Sequence, residues 1–192
     1  MTIGIIGIGS LTLELAFRAS KAGYSVTVHN PKGNSLVRET IEKTDSIRLG
    51  TLHQAAGTDL IVFFIPKSDL EQVLSQLPDM SGKTVVHTSG LVFDPKSLLA
   101  GLRCAVTYPI TASLLPQAHV VKLFKPLKLD NNNTLPERDE IFYLAGHAPS
   151  GLKVKTFLKT LYFNARDLSG RLRLGDAGLS NENFILPPAG RS

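Results

Sequence analysis

Gly4-Ile5-Ile6-Gly7-Ile8-Gly9-Ser10-Leu11-Thr12 is the stretch that decides the fold. It ends an apolar run that starts at Thr2 and reads as a buried strand. It also opens a segment with helical spacing at Leu11, Leu15 and Ala19, running from Ser10 to Ala22 and closed by Gly23. Ser25 to His29 follows as a short β-branched strand. Gly7 and Gly9 supply the first two glycines of G-x-G-x-x-G. Gly7 permits the tight turn off the strand, and Gly9 has no side chain to hold a pyrophosphate away from the backbone. The helix that starts near Ser10 points free N–H groups at such a group, where its dipole favours negative charge. Thr12 replaces the third glycine, which governs close packing of helix on strand, so a slightly displaced helix is expected. A lone G-x-G is weak, and a purely structural glycine turn is the plain alternative. Within a strand–helix–strand unit of about 30 residues the motif predicts dinucleotide binding through Gly7, Ile8, Gly9, Ser10 and Leu11.

Outward from this unit the pattern repeats. Leu60 to Ile65 is a run of six apolar residues, as in a strand buried on both faces, and Pro66 stops it. Ser68 to Leu77 is a predicted helix, with Ser68 and Glu71 at capping-box spacing. Lys83–Thr88, His119–Phe124 and Ile141–Ala145 read as strands, and Asp130 to Asn133 with Pro136 as a polar surface loop. Gly151 to Phe163 reads as a helix with Val154, Phe157, Leu158 and Leu161 inward and Lys155 and Lys159 outward. Ala165 to Leu168 is the expected last strand. Arg103 to Tyr108 looks like a strand by composition, and Ile110 to Leu115 could begin a helix. Strands alternating with helices predict an α/β fold of the doubly wound Rossmann type, with a mostly parallel sheet covered on both faces. The expected division is a dinucleotide-binding domain over residues 1–170 and a short C-terminal tail over 171–192 that closes the site or contacts a second copy.

The chain has 192 residues, enough for one such domain. Its net charge of +5 suits an anionic small ligand. Nucleic acid is disfavoured: the basic residues are dispersed, and the densest group, Lys122, Lys125 and Lys128, has no aromatic platform interleaved. No apolar run reaches the ~18–20 residues that span a bilayer. The start lacks a basic leader and a cleavage site, so no signal peptide is expected. A single cysteine, Cys104, rules out an internal disulfide framework and makes the cytoplasm the default compartment. It reads as a small buried residue. His53, His119 and His147 show no metal-ligand spacing, so no metal site is expected.

The second strand ends in His29-Asn30-Pro31-Lys32, without the carboxylate that binds a ribose 2′-hydroxyl in NAD-specific domains. Asn30 can donate to a 2′-phosphate and Lys32 can neutralise it, which favours NADP(H) over NAD(H). Lys32 as a solvated loop lysine is the plain alternative. Carboxyl ends of parallel strands face the ligand crevice, so Ile65, Pro66, His87, Thr88 and Ser89 should line the nicotinamide side. His87 is the one candidate for general acid, against a role as a polar strand-end residue.

Four segments carry a family resemblance: Ile5 to Gly9; Phe64-Ile65-Pro66; Leu114-Leu115-Pro116-Gln117-Ala118-His119-Val120-Val121-Lys122-Leu123-Phe124; and Tyr143-Leu144-Ala145-Gly146. Through them the chain resembles the NADP oxidoreductases that depend on the deazaflavin coenzyme F420, and their relatives such as the cytosolic domain of STEAP-type metalloreductases. The third is the most specific, since that family has a helix ending in Leu-Pro followed by a strand Val-Val-Lys-Ala-Phe-Asn. The resemblance implies a helix over Thr111 to Leu115. It also implies hydride transfer between NADP(H) and a deazaflavin, flavin or other small-molecule redox acceptor. Three departures stand out. The family's Ser-Arg near the end of the second strand is absent, Lys125 replaces the Asn after Phe, and the tail after Gly175 is short.

Two rivals remain. One is a non-catalytic NADP(H) sensor or interaction module. The other is a dehydrogenase of the hydroxyacid or pyrroline-carboxylate reductase type, which needs a further helical domain. Open sites on short chains are often closed by a second copy, which makes a homodimer an expectation.

Overall fold

The computed structural model describes residues 1–41, 44, 46–88, 108–125 and 139–170. They form one eight-stranded sheet: β1 (Thr2–Ile6), β2 (Ser25–His29), β3 (Ile47–Leu49), β4 (Leu60–Phe63), β5 (Thr84–Thr88), β6 (His119–Phe124), β7 (Glu140–Ala145) and β8 (Asn164–Asp167). Its order is β3-β2-β1-β4-β5-β6-β7-β8. β7 runs antiparallel to β6 and parallel to β8, and all other pairings are parallel. The fold is α/β and Rossmann-like. The chain runs outward from β1 to β3, then returns to place β4 on the other side of β1. The ends of β1 and β4 therefore bound the crevice where the strand order reverses, the usual ligand position in open α/β sheets.

Helices cover both faces. α1 (Ser10–Lys21) and α5 (Ala148–Thr160) lie on one; α3 (Leu52–Ala56) and α4 (Leu70–Ser75) lie on the other, and α2 is the short Arg38–Ile41. The burial of β4 shows why its run is uniformly apolar: Leu60 and Val62 join the α1/α5 core while Ile61 and Phe63 join the α3/α4 core. In α5, Val154, Phe157 and Leu158 are fully buried beneath the exposed Lys159.

Several expectations shift. β1 ends at Ile6 and β4 at Phe63, two residues before their apolar runs do, because Gly7 and Phe64 turn toward each other over the crevice. The helix expected from Ser68 begins as a 3-10 turn (Lys67–Asp69), with α4 proper starting at Leu70. Ser68 is not its cap: the hydroxyl donates to Asp69 Oδ1 at 2.8 Å. Residues 108–113 are helical, so Tyr108 belongs to a helix, and two 3-10-type bonds carry the turn to Leu115 just before Pro116. Elements not anticipated lie between Asn34 and Ala56: a 3-10 turn (Asn34–Val37), α2, β3 and α3. The expected features at Ser89, Arg103 to Thr107, Cys104, Lys128, Asp130 to Asn133 and the tail from 171 lie outside the described residues. Among the described residues no helix is long and apolar enough to cross a membrane.

Candidate functional site

The β1–α1 junction is built around Gly7. Its φ is +88°, a conformation that L side chains rarely adopt, and an added Cβ would lie 1.7 Å from the Phe64 carbonyl oxygen. The Gly7 amide donates to His29 O and the Phe64 amide to Ile6 O, both at 2.9 Å, so three strand ends are tied at one point. Thr12 is fully buried and completes the turn. Its Oγ1 accepts from the Gly9 amide at 2.8 Å and lies 3.2 and 3.1 Å from the carbonyls of Gly7 and Gly9. Thr12 thus fastens the loop to the helix through its hydroxyl. The amides of Ser10, Leu11 and Thr12 follow, the first of the helix and without a carbonyl one turn back to receive them. These are the donors a pyrophosphate would use. The side of Gly9 where a Cβ would stand is filled by the Phe64 ring, 2.9 Å from that point. That side of Gly9 is therefore closed, and the helix amides are the open donors of the loop.

At the end of β2, Asn30 is buried and turned into its own loop. Its Nδ2 donates to Gly33 O at 3.0 Å, its Oδ1 accepts from the Lys32 amide at 3.3 Å, and its amide donates to Asn34 Oδ1 at 2.8 Å. The side chain shapes the loop, and the direct donation to a 2′-phosphate expected of it gives way to that role. Pro31 is half-buried and Lys32 exposed. Lys32 Nζ lies 3.6 Å from Asp69 Oδ2, an acidic partner that arrives from the β4 side and that the sequence did not single out.

On the nicotinamide side, Ile65 is half-buried and Pro66 exposed. Thr88 is buried, and its hydroxyl donates to Phe63 O at 3.1 Å, joining β5 to β4. His87 faces a small apolar cavity lined by Phe63, Ile65, Leu70, Leu115 and Val120 among others. Its Nδ1 is buried without a hydrogen bond. Burial, with the Lys122 charge as a smaller cause, pushes its pKa down to about 4. At neutral pH the ring is therefore neutral, which argues against a general acid there.

Lys122 is the residue the sequence misplaced. Counted with Lys125 and Lys128 as the densest group of basic residues, it is only 2% exposed, opposite His87 on the neighbouring strand, and donates to Thr111 Oγ1 at 3.2 Å. Its position inside an otherwise apolar strand was the available signal. Lys125 pairs with Glu14 of α1, which also holds Arg18 at 2.7 Å, and Arg18 pairs in turn with Asp139. Tyr108 accepts from the Gly146 amide at 2.6 Å and donates to Val120 O at 3.2 Å, a bridge between β6 and the turn after β7. His119 and His147 stack at 3.7 Å, and among the described residues no cluster of three metal-ligating side chains occurs.

Comparison with known proteins follows this geometry. No curated protein matches the chain. Among solved structures, it is 24% identical to a hypothetical protein from Sinorhizobium meliloti, with 88% of this chain and 85% of that one covered and a TM-score of 0.64. It is 18% identical to a protein from Arthrobacter sp. FB24 provisionally described as an F420 dependent NADP-reductase, covering 98% and 100% at a TM-score of 0.63. An imine reductase from Aspergillus terreus, solved with NADPH4 and dibenz[c,e]azepine, aligns at 19% identity and a TM-score of 0.65. There 93% of this chain covers 59% of that one, so the chain spans about three fifths of the reductase's length. These likenesses show the fold. Residues 2–90, which hold β1 to β5 and every part of the glycine crevice described above, match the family described as NADP oxidoreductase, coenzyme F420-dependent. Over that span, a little under half of its length, the chain is similar to the coenzyme F420-dependent NADP oxidoreductases.

Proposed function

We propose that this chain binds NADP(H) across the β1–β4 crevice and acts as an oxidoreductase toward a planar redox acceptor of the deazaflavin or flavin class. The observation that carries the reading is the β1–α1 turn: Gly7 at positive φ, Thr12 bonded back to Gly9, and three helix amides left for a diphosphate. The match of residues 2–90 to an NADP oxidoreductase family supports it. So do the nicotinamide nucleotides bound in the neighbouring reductases, such as the NADP+ of the Myxococcus stipitatus imine reductase. Bound here, NADPH would supply a hydride. The protein's part is to orient the dinucleotide and exclude water, and transfer between two cofactors demands no protein acid. A neutral, half-buried His87 is consistent with that demand, and the ring serves as a wall of the nicotinamide side.

A non-catalytic NADP(H) sensor is the second reading. It is favoured by Lys125, which replaces the family's Asn and is held by Glu14. One experiment separates the two. Purified protein is titrated with NADPH and NADH, and NADPH oxidation is then followed with deazaflavin, flavin and ferric acceptors. Oxidation by one acceptor class supports the enzyme. Stoichiometric binding with no oxidation by any of them supports the sensor. Absence of binding removes both.

A further inference from the structure

Two charges face one another across the proposed adenosine end of the crevice. Lys32 follows β2 and Asp69 follows β4, the two strands that flank β1. Their separation is 3.6 Å, and the Lys32 side chain is 60% exposed against 24% for Asp69. Asp69 Oδ1 accepts from Ser68 Oγ, while Oδ2, the oxygen turned to Lys32, is buried without any hydrogen bond. Asn30 does not contribute to the balance, because its amide is engaged by its own loop.

We propose that Asp69 is a specificity determinant of this site, a carboxylate that weakens the preference for a 2′-phosphorylated nucleotide by competing for Lys32. The inference rests on the NADP(H) reading and deepens it. A 2′-phosphate close enough to bond Lys32 must share that ammonium with Asp69 and sits within a few ångströms of a second negative charge. The repulsion offsets part of what Lys32 contributes. A 2′-hydroxyl carries no charge and meets no such repulsion. NAD-specific domains place such a carboxylate at the end of the second strand. This chain lacks one there and brings one to the same charge from the start of α4. Lys32 favours the phosphorylated nucleotide, and Asp69 offsets part of that preference.

The test measures dissociation constants for NADPH and NADH at fixed ionic strength in the wild-type protein and in Asp69→Asn. NADPH binding is expected to tighten about three- to five-fold, the scale of a partly screened ion pair, while NADH binding stays equal or weakens. Asp69→Ser, which also removes the negative charge, should move the ratio in the same direction. Thermal unfolding of each variant shows whether it is folded. An NADPH-to-NADH ratio that is unchanged or falls, or equal weakening of both nucleotides, overturns the proposal and leaves Asp69 a structural residue of the turn before α4. Failure of the wild type and both variants to take up either nucleotide sinks the NADP(H) reading itself, a result distinct from an unaltered ratio.

Discussion

Lys32, His87 and Lys122 each have a chemistry set by what surrounds the side chain. Lys32 is the exposed cation at the end of β2, so Lys32→Ala should weaken NADPH binding roughly ten-fold, as loss of a charge-assisted hydrogen bond does. NADH binding should change little, and calorimetric titration of both nucleotides checks the pair. His87 is held neutral by burial first and by Lys122 second, with a pKa near 4 against an ordinary 6.5. Its folded value is depressed, so the unfolded chain binds the extra proton between those limits. Its contribution to stability is therefore complete above about pH 6.5 and declines as the pH falls toward 4. Thermal melts of wild type and His87→Leu at pH 7 and pH 5 should show a smaller drop in the variant. An equal drop would mean that His87 is not the titrating group. The sequence marked His87 as a candidate but carried no sign of its neutrality, since that depends first on burial and then on a register which sets it opposite Lys122. The burial of Lys122 was not drawn from the sequence either, although the residue sits inside the apolar strand His119–Phe124.

The β1–α1 junction is the element on which the site depends, and its design can be taken apart. Gly7→Ala meets both a positive φ and the Phe64 carbonyl, a backbone atom that cannot swing away. The φ alone costs roughly 1–3 kcal/mol, so this variant should be strongly destabilised or unfolded by circular dichroism. Gly9→Ala meets only the Phe64 ring, the movable end of a side chain. It should cost less, and Phe64→Ala in the same chain should recover stability; a double-mutant cycle in urea measures the coupling. Thr12→Val keeps the shape but removes the oxygen that receives the Gly9 amide. It should cost about 1–2 kcal/mol in the same assay, the penalty of one unsatisfied buried donor. The expected displacement of α1 by Thr12 was drawn from its volume alone; its hydroxyl bonds to the loop make it a fastener. Long helices with steady periodicity, α1 and α5, were legible to within a few residues, and β2 was legible from its β-branched run. α2, β3 and α3 were not, because three to five residues cannot display a period. For α3 a signal did exist in the capping box of Thr51 and Gln54, whose reciprocal bonds are 3.2 and 2.9 Å. The 3-10 entry to α4 defeated the same rule at Ser68, where Asp69 took the hydroxyl.

At the scale of the molecule, the alternation of strands and helices was enough to predict a doubly wound sheet, and β7 supplies the one reversal within it. The crevice between β1 and β4 was legible because a glycine turn has to be written in glycine. Its opposing charges were not, since Lys32 and Asp69 lie far apart in the chain and meet only through the strand order. The central claim is that a diphosphate rests on the amides of Ser10, Leu11 and Thr12. The most direct test is an amide proton–nitrogen NMR titration of the labelled protein with NADPH. Saturable shifts at these three amides, larger than those at the ends of β6 and β8, are the predicted result. Uptake of NADPH that leaves the three amides unmoved, or no uptake at all, would contradict the account.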